Sequence, residues 1–243
     1  MQKKRQVKVL PRSASGRSTA IRWAAFVAGV VINSFGIAFI TKAAMGTSPI
    51  SSVPYVLSLY FPLSLGLFSF IFNMLYIVLQ FVLLGRAMKP IQLLQVAVNI
   101  VFSSAIDVSM SLLSWLNPEG IAAQASSLVS GCLILAFGVA LEVAPGVLLV
   151  PGEGIVRALA IRTKMRFGSM KVIFDVTLMV SAVILSFVLF GRLNGIGIGT
   201  VVSALLVGRF VNLFNRRFGF LDRLRAMQGV TETSAGAAEA EAA

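Results

Sequence analysis

The chain has 243 residues, 57% hydrophobic and 12% charged, and its 21 Lys and Arg against 9 Asp and Glu give a formal net charge of +12. A soluble domain of this length carries roughly 25% charged residues because its surface must be solvated, so this chain cannot cover itself with polar groups. Its basic residues lie between long apolar runs rather than on one polar face beside aromatics, which excludes a nucleic-acid partner and leaves an integral membrane protein whose charge records its orientation.

In chain order, residues 1–20 carry Lys3, Lys4, Arg5, Lys8, Arg12 and Arg17 without apolar periodicity and read as a disordered, basic cytoplasmic arm. Crossing roughly 30 Å of hydrocarbon takes about 20 mostly apolar residues. Six stretches qualify, from about Arg22 to Thr41, Gly66 to Leu84, Ile91 to Trp115, Gln124 to Val143, Met170 to Phe190 and Gly195 to Phe214. The first is longer than the h-region of a signal peptide, about 7–15 residues, and is expected to be retained. Two further segments, Gly46 to Leu65 and Ala144 to Ser169, are partly apolar, broken by Pro and Gly, and too short to cross twice. Residues 216–228 form a cytoplasmic basic end, and 229–243, rich in Ala, Glu, Thr and Ser, are expected to be disordered. The expected fold is all-α, with one polytopic membrane domain over 21–228.

With the N-terminus placed in the cytoplasm, all Lys and Arg except Lys42 and Arg192 fall on the cytoplasmic side. So large a bias predicts six crossings with both termini cytoplasmic. Sliding the chain on itself by 102 residues aligns Gly36 with Gly138, Pro49 with Pro151, Gly66 with Gly168, Phe72 with Phe174 and Asn73 with Asp175. Each half, about 21–116 and 121–215, then reads as helix, broken connector, helix, helix. Three crossings per half force the second half to insert upside down, the plan of many secondary transporters.

The connectors supply the first candidate site residues. Thr47 or Ser48 can accept hydrogen bonds from free amides where a helix starts, and Pro49 suits its first position. A helix from Pro49 to about Tyr60 would be roughly 18 Å long, about half a bilayer. It is either a half-helix offering its amino end to a polar solute or an interfacial helix capping the bundle. In the second connector, Val150-Pro151-Gly152-Glu153-Gly154, Glu153 either stabilises the start of its helix or is a proton- or cation-linked carboxylate beside a central cavity. Arg157, Arg162, Lys164 and Arg166 follow it and would rest among anionic lipid headgroups.

Polar groups inside spans are costly, so Asn73, Asp107 and Asp175 complete the candidate substrate-binding set of Thr47, Ser48, Asn73, Asp107, Glu153 and Asp175. Asp107 could instead pair with Arg209. Glu142, near the end of its helix, is expected to reach water, and Asn33 and Asn99 to bond between helices. Gly195, Gly199 and Ser203 have the spacing of close helix packing. Cys132 stands alone and the chain has no His, so a disulfide framework, a His/Cys zinc site and a Ser-His-Asp triad are excluded. No metal or cofactor is expected, and the chain is not read as an enzyme.

Gly46-Thr47-Ser48-Pro49, Pro151-Gly152-Glu153-Gly154 and Gly197-Ile198-Gly199-Thr200 resemble the bacterial YczE/YyaS/YitT-like integral membrane proteins over roughly Ile21 to Phe214. That family often has Asp in place of Glu153. The resemblance implies a multi-pass protein of the bacterial plasma membrane and names no substrate. The resulting expectation is a secondary transporter or exporter of a small solute. The alternative is a non-transporting accessory or regulatory protein that binds another membrane protein and has a solid interior. Anionic lipid on the cytoplasmic side is the expected surface partner, and homo-oligomerisation stays open.

Overall fold

The computed structural model describes residues 16–85 and 90–227. Most of the expected basic arm, Arg86, Lys89 and the tail beyond Met227 lie outside the described residues. Among the described residues, six helices are long and apolar enough to cross a membrane: α1 (Gly16–Lys42), α3 (Leu65–Leu84), α4 (Gln95–Leu112), α5 (Ile121–Val143), α7 (Phe167–Phe190) and α8 (Ile198–Arg217). A 3-10 turn at Pro90–Leu94 lengthens the span that contains α4. These are the six stretches expected from the apolar runs, with ends shifted by a few residues. α1 starts at Gly16, so the last residues of the expected arm are helical.

Both broken connectors contain a short helix that begins with proline. The first makes a 3-10 turn at Pro49–Ser51 and continues as α2 (Ser52–Tyr60), while the second forms α6 (Pro151–Thr163). A proline at a helix start sacrifices no intrahelical hydrogen bond and already has helical φ. α2 buries Val53 and Val56 against Ala182 of α7, and α6 buries Val156 and Ala160 against Met170. α6 also packs along α3, so each short helix touches both long helices that flank the interior, α3 and α7.

α1 and α5 form the centre. Gly29 meets the backbone of Glu142, Gly36 that of Leu135, Gly138 that of Asn33, and Gly131 that of Ile40. Contacts that advance along one helix retreat along the other, so the pair is antiparallel. Lipid tails are as apolar as leucine, so close packing and polar contacts, rather than escape from water, hold membrane helices together. Glycines let these two backbones approach so that Phe26, Val30, Ile37, Ile40, Leu128, Cys132 and Leu135 pack into one core with Phe102 and Ile106 of α4.

α3 and α4 are joined at three levels. Near one end Asp107 Oδ1 accepts from Gly66 N at 2.8 Å, and its Oδ2 accepts from Ser64 Oγ at 2.6 Å. Midway, Asn73 Nδ2 donates to Asn99 Oδ1 at 2.8 Å. At the other end Gln80 and Gln95 exchange amide hydrogen bonds of 3.1 and 3.2 Å. α7 has no such ladder to α8. It packs on α2 and α6 and leaves Val172, Val176, Val180, Ile184 and Val188 exposed.

A Cβ at Gly36 would stand 2.5 Å from the Leu135 backbone, whereas one at Gly208 on α8 would meet nothing within 4 Å. Gly36→Ala is therefore expected to cost about 1–3 kcal/mol through overpacking and to lower the melting temperature in detergent by several degrees. Gly208→Ala should leave it unchanged or slightly raised, because alanine favours helix over glycine. Equal melting temperatures for the two variants would contradict this account of the α1–α5 seam.

Candidate functional site

A cavity of about 800 Å³ lies between the two broken connectors and is lined by α1, α3, α5, α6, α7 and α8. Its inner end is polar, with Ser48 and Ser51 from the first connector, Ser69 and Asn73 from α3, and Ser203 from α8. Its middle is apolar, with Ile37, Phe72, Leu135, Val139 and Val207. Towards the end that carries Arg162, Arg166, Arg216 and Arg217, the lining includes Phe167, Lys171, Asn212 and Asn215. α7 and α8 make few contacts with each other.

The start of the first connector, Gly46 to Pro49, is buried, and α8 satisfies its irregular backbone. Met45 O accepts from Gly199 N at 2.9 Å, Thr47 N donates to Thr200 Oγ1 at 3.2 Å, and Thr47 O accepts from Ser203 Oγ at 3.3 Å. Gly46 holds φ +123°, and a Cβ there would collide with Thr200 Oγ1, so only glycine allows both the turn and the contact. Thr47 is fully buried and shares a 2.7 Å hydrogen bond with Thr41 Oγ1. Ser48 occupies the position before the 3-10 turn, but its hydroxyl donates to Ser51 Oγ at 3.0 Å instead of capping the turn.

The second connector is tied down by α3. Gln80 Nε2 donates to Pro151 O at 3.1 Å, and Gly154 lies against the Gln80 carboxamide. This places Glu153, in the first turn of α6, on the cavity wall. Burial pushes the Glu153 carboxyl above its ordinary range; the Lys171 ammonium pulls it back, and the Asp175 carboxylate raises it further. Among the described residues Glu153 makes no ion pair and no side-chain hydrogen bond. Asp175, by contrast, accepts from Lys171 Nζ at 2.7 Å, one helical turn away.

Of the expected substrate-binding residues, Ser48, Asn73, Glu153 and Asp175 line this cavity. Thr47 stands behind it, in the seam with α8. Asp107 lies outside the lining, where it binds Ser64 and Gly66 rather than Arg209. Glu142 departs from its expected contact with water. It is 1% exposed, with Oε2 accepting from Asn33 Nδ2 at 2.9 Å and Oε1 without a partner. The reason is the close approach of α1 at Gly29, which covers the last turn of α5. Asn33 and Asn99 bond between helices as expected.

Ser69 and Tyr76 were not among the expected residues. Both line the cavity, both are 5% exposed, and Ser69 Oγ and Tyr76 Oη have no hydrogen-bond partner. A buried hydroxyl without a partner costs about 1–3 kcal/mol, so such groups are uncommon unless something else occupies them. The signal was present in the spacing: Ser69, Asn73, Tyr76 and Gln80 recur at three and four residues, which puts every polar side chain of α3 on one face. Serine and tyrosine in apolar runs draw less notice than charges.

Residues 20–216 match DUF6198, described as a family of unknown function. No curated protein and no solved structure matches the chain.

Gln80 and Gln95 are fully buried, so removing one leaves the other's amide unsatisfied. Gln80→Leu and Gln95→Leu are each expected to cost about 1–3 kcal/mol. In a double-mutant cycle read by thermal unfolding in detergent, the pair should cost clearly less than the two single changes together. Additive costs would show that the two amides do not act as a unit.

Proposed function

We propose that this chain, which belongs to the DUF6198 family, is a secondary transporter of a small solute in the bacterial plasma membrane, with both termini in the cytoplasm. The observation that carries this reading is the cavity. It is built from both broken connectors and from helices of both halves of the sequence, the arrangement expected when two inverted repeats enclose a central site. A protein acting only as an accessory subunit has no need of an interior space of about 800 Å³.

The contacts between the halves support the repeat. Gly29 and Gly131 are one repeat pair, Gly36 and Gly138 another; Gly36 packs on Leu135 while Gly138 packs on Leu135's own mate, Asn33. Gly29 packs on Glu142 while Gly131 packs on that residue's mate, Ile40. Exchange of mates across a seam is what a pseudo-two-fold axis produces. On this reading the state seen here is open to the cytoplasm. α7 is the moving wall, and the α3–α4 ladder closes the other side.

A comparison of metabolites between cells with and without the protein should reveal one compound redistributed between cell and medium. Purified protein in proteoliposomes should move that compound, and Asn73→Ala should slow it by at least tenfold. In a Cys132→Ala background, Asn215→Cys should react with an impermeant maleimide only from the cytoplasmic face, and Ser114→Cys only from outside. A reconstituted parent that moves none of the redistributed compounds, or Asn215→Cys labelled only from outside, would overturn the reading.

A further inference from the structure

The cavity lining balances two basic side chains, Arg157 and Lys171, against two acidic ones, Glu153 and Asp175. The protein is strongly basic, yet three of its nine acidic residues, Glu142, Glu153 and Asp175, gather at or beside this one space. Lys171 is engaged by Asp175. Arg157, one turn beyond Glu153 on α6, also lines the cavity but is exposed and makes no ion pair with Glu153. Glu153 is left as the carboxylate facing the cavity that makes no direct ion pair among the described residues, the Lys171 ammonium acting on it only from beyond contact while bound to Asp175.

Two further observations are independent of that charge. Ser69 Oγ and Tyr76 Oη are both buried against the cavity and both unpartnered. The Tyr76 ring also stands edge-on to Phe72 at 6.4 Å and to Phe174 at 5.6 Å between centroids, and Phe72 and Tyr76 put aromatic surface on the cavity lining. A ring face attracts a positive group within about 6 Å, and a hydroxyl serves a ligand as donor or acceptor.

We infer that the cavity binds an organic cation: a protonated amine on an apolar or aromatic body, its ammonium on Glu153 and a second, hydrogen-bonding group on Ser69 and Tyr76. This deepens the transporter reading and rests on it for the claim that the occupant is moved. An anion would have to approach the Glu153 carboxylate while the Lys171 ammonium is already held by Asp175 and Arg157 is exposed. A wholly apolar occupant would leave both hydroxyls and the carboxylate desolvated and unpaired, at a cost in affinity. The apolar middle of the cavity accommodates a ring or short alkyl chain without further polar contacts.

The test uses the purified full-length protein in nanodiscs and three probes of nearly equal size: phenethylamine, tyramine and 3-phenylpropionate. Binding is read by isothermal titration and by the shift in melting temperature. Phenethylamine should bind and stabilise the protein, while 3-phenylpropionate should not. Tyramine should bind about fivefold more tightly than phenethylamine, the effect of about one added hydrogen bond. Ser69→Ala combined with Tyr76→Phe should abolish that advantage while leaving phenethylamine bound. Glu153→Gln should weaken both amines at least tenfold.

Equal or tighter binding of 3-phenylpropionate by the unmodified protein overturns the inference whether or not any variant folds, and so does an amine affinity unchanged in a folded Glu153→Gln protein. Amine binding without movement across proteoliposomes would keep this site and remove the transporter reading. Transport of a different compound with no amine binding would do the reverse.

Discussion

Hydrocarbon offers no water to satisfy a peptide group, so backbone that leaves the helix inside a membrane bundle must find partners in the protein. The rest of this structure depends on how that demand is met at two places. The chain breaks helicity before α2 and again before α6, and at each break it borrows donors and acceptors from a distant helix. Gly199, Thr200 and Ser203 serve the first break, and Gln80 serves the second. These bonds suspend two short helices on either side of an interior space. Without them the connectors would have to lie at a surface, and Ser48 and Glu153 would not face one another's neighbourhood.

The same economy separates the two halves of the fold. α3 is bonded to α4 at three levels, while Ser69 and Tyr76 on its polar face remain available to the cavity. In α7 the corresponding carboxylate, Asp175, is satisfied by its own helix through Lys171. α7 is consequently not tied to α8 by a polar ladder of its own. A polar residue paired along its own helix leaves the helix free to move as a body. One paired to a neighbour does not. On the proposed reading, that difference decides which wall opens.

Much of the architecture was legible because bilayer thickness imposes a length on apolar runs, and all six spans follow from it. Four of the cavity-lining residues were legible for the complementary reason: Ser48, Asn73, Glu153 and Asp175 sit where polarity or a helix break is expensive. What was not legible depended on which helices touch. Asp107 looks as costly as Asp175, yet it fastens the end of α3 to α4. Glu142 looks able to reach water until Gly29 brings α1 over it. Gln80 and Gln95 drew no notice singly, because nothing in one sequence says that two amides fifteen residues apart will face each other. Ser69 and Tyr76 acquire meaning only once the cavity beside them is seen to leave both unsatisfied.

The ladder between α3 and α4 also bears on how the protein is made. The span containing α4 has a hydropathy of 1.6 against 2.2 for α3, because Gln95, Asn99, Ser103 and Asp107 occupy one side of it. Presented alone to lipid, that side would be exposed to hydrocarbon with its amides and carboxylate unpaired. α3 emerges first during synthesis and carries the matching groups in reverse order. The two helices can therefore enter the bilayer as a prepaired hairpin, with α3 acting as the template on which its successor becomes soluble in lipid.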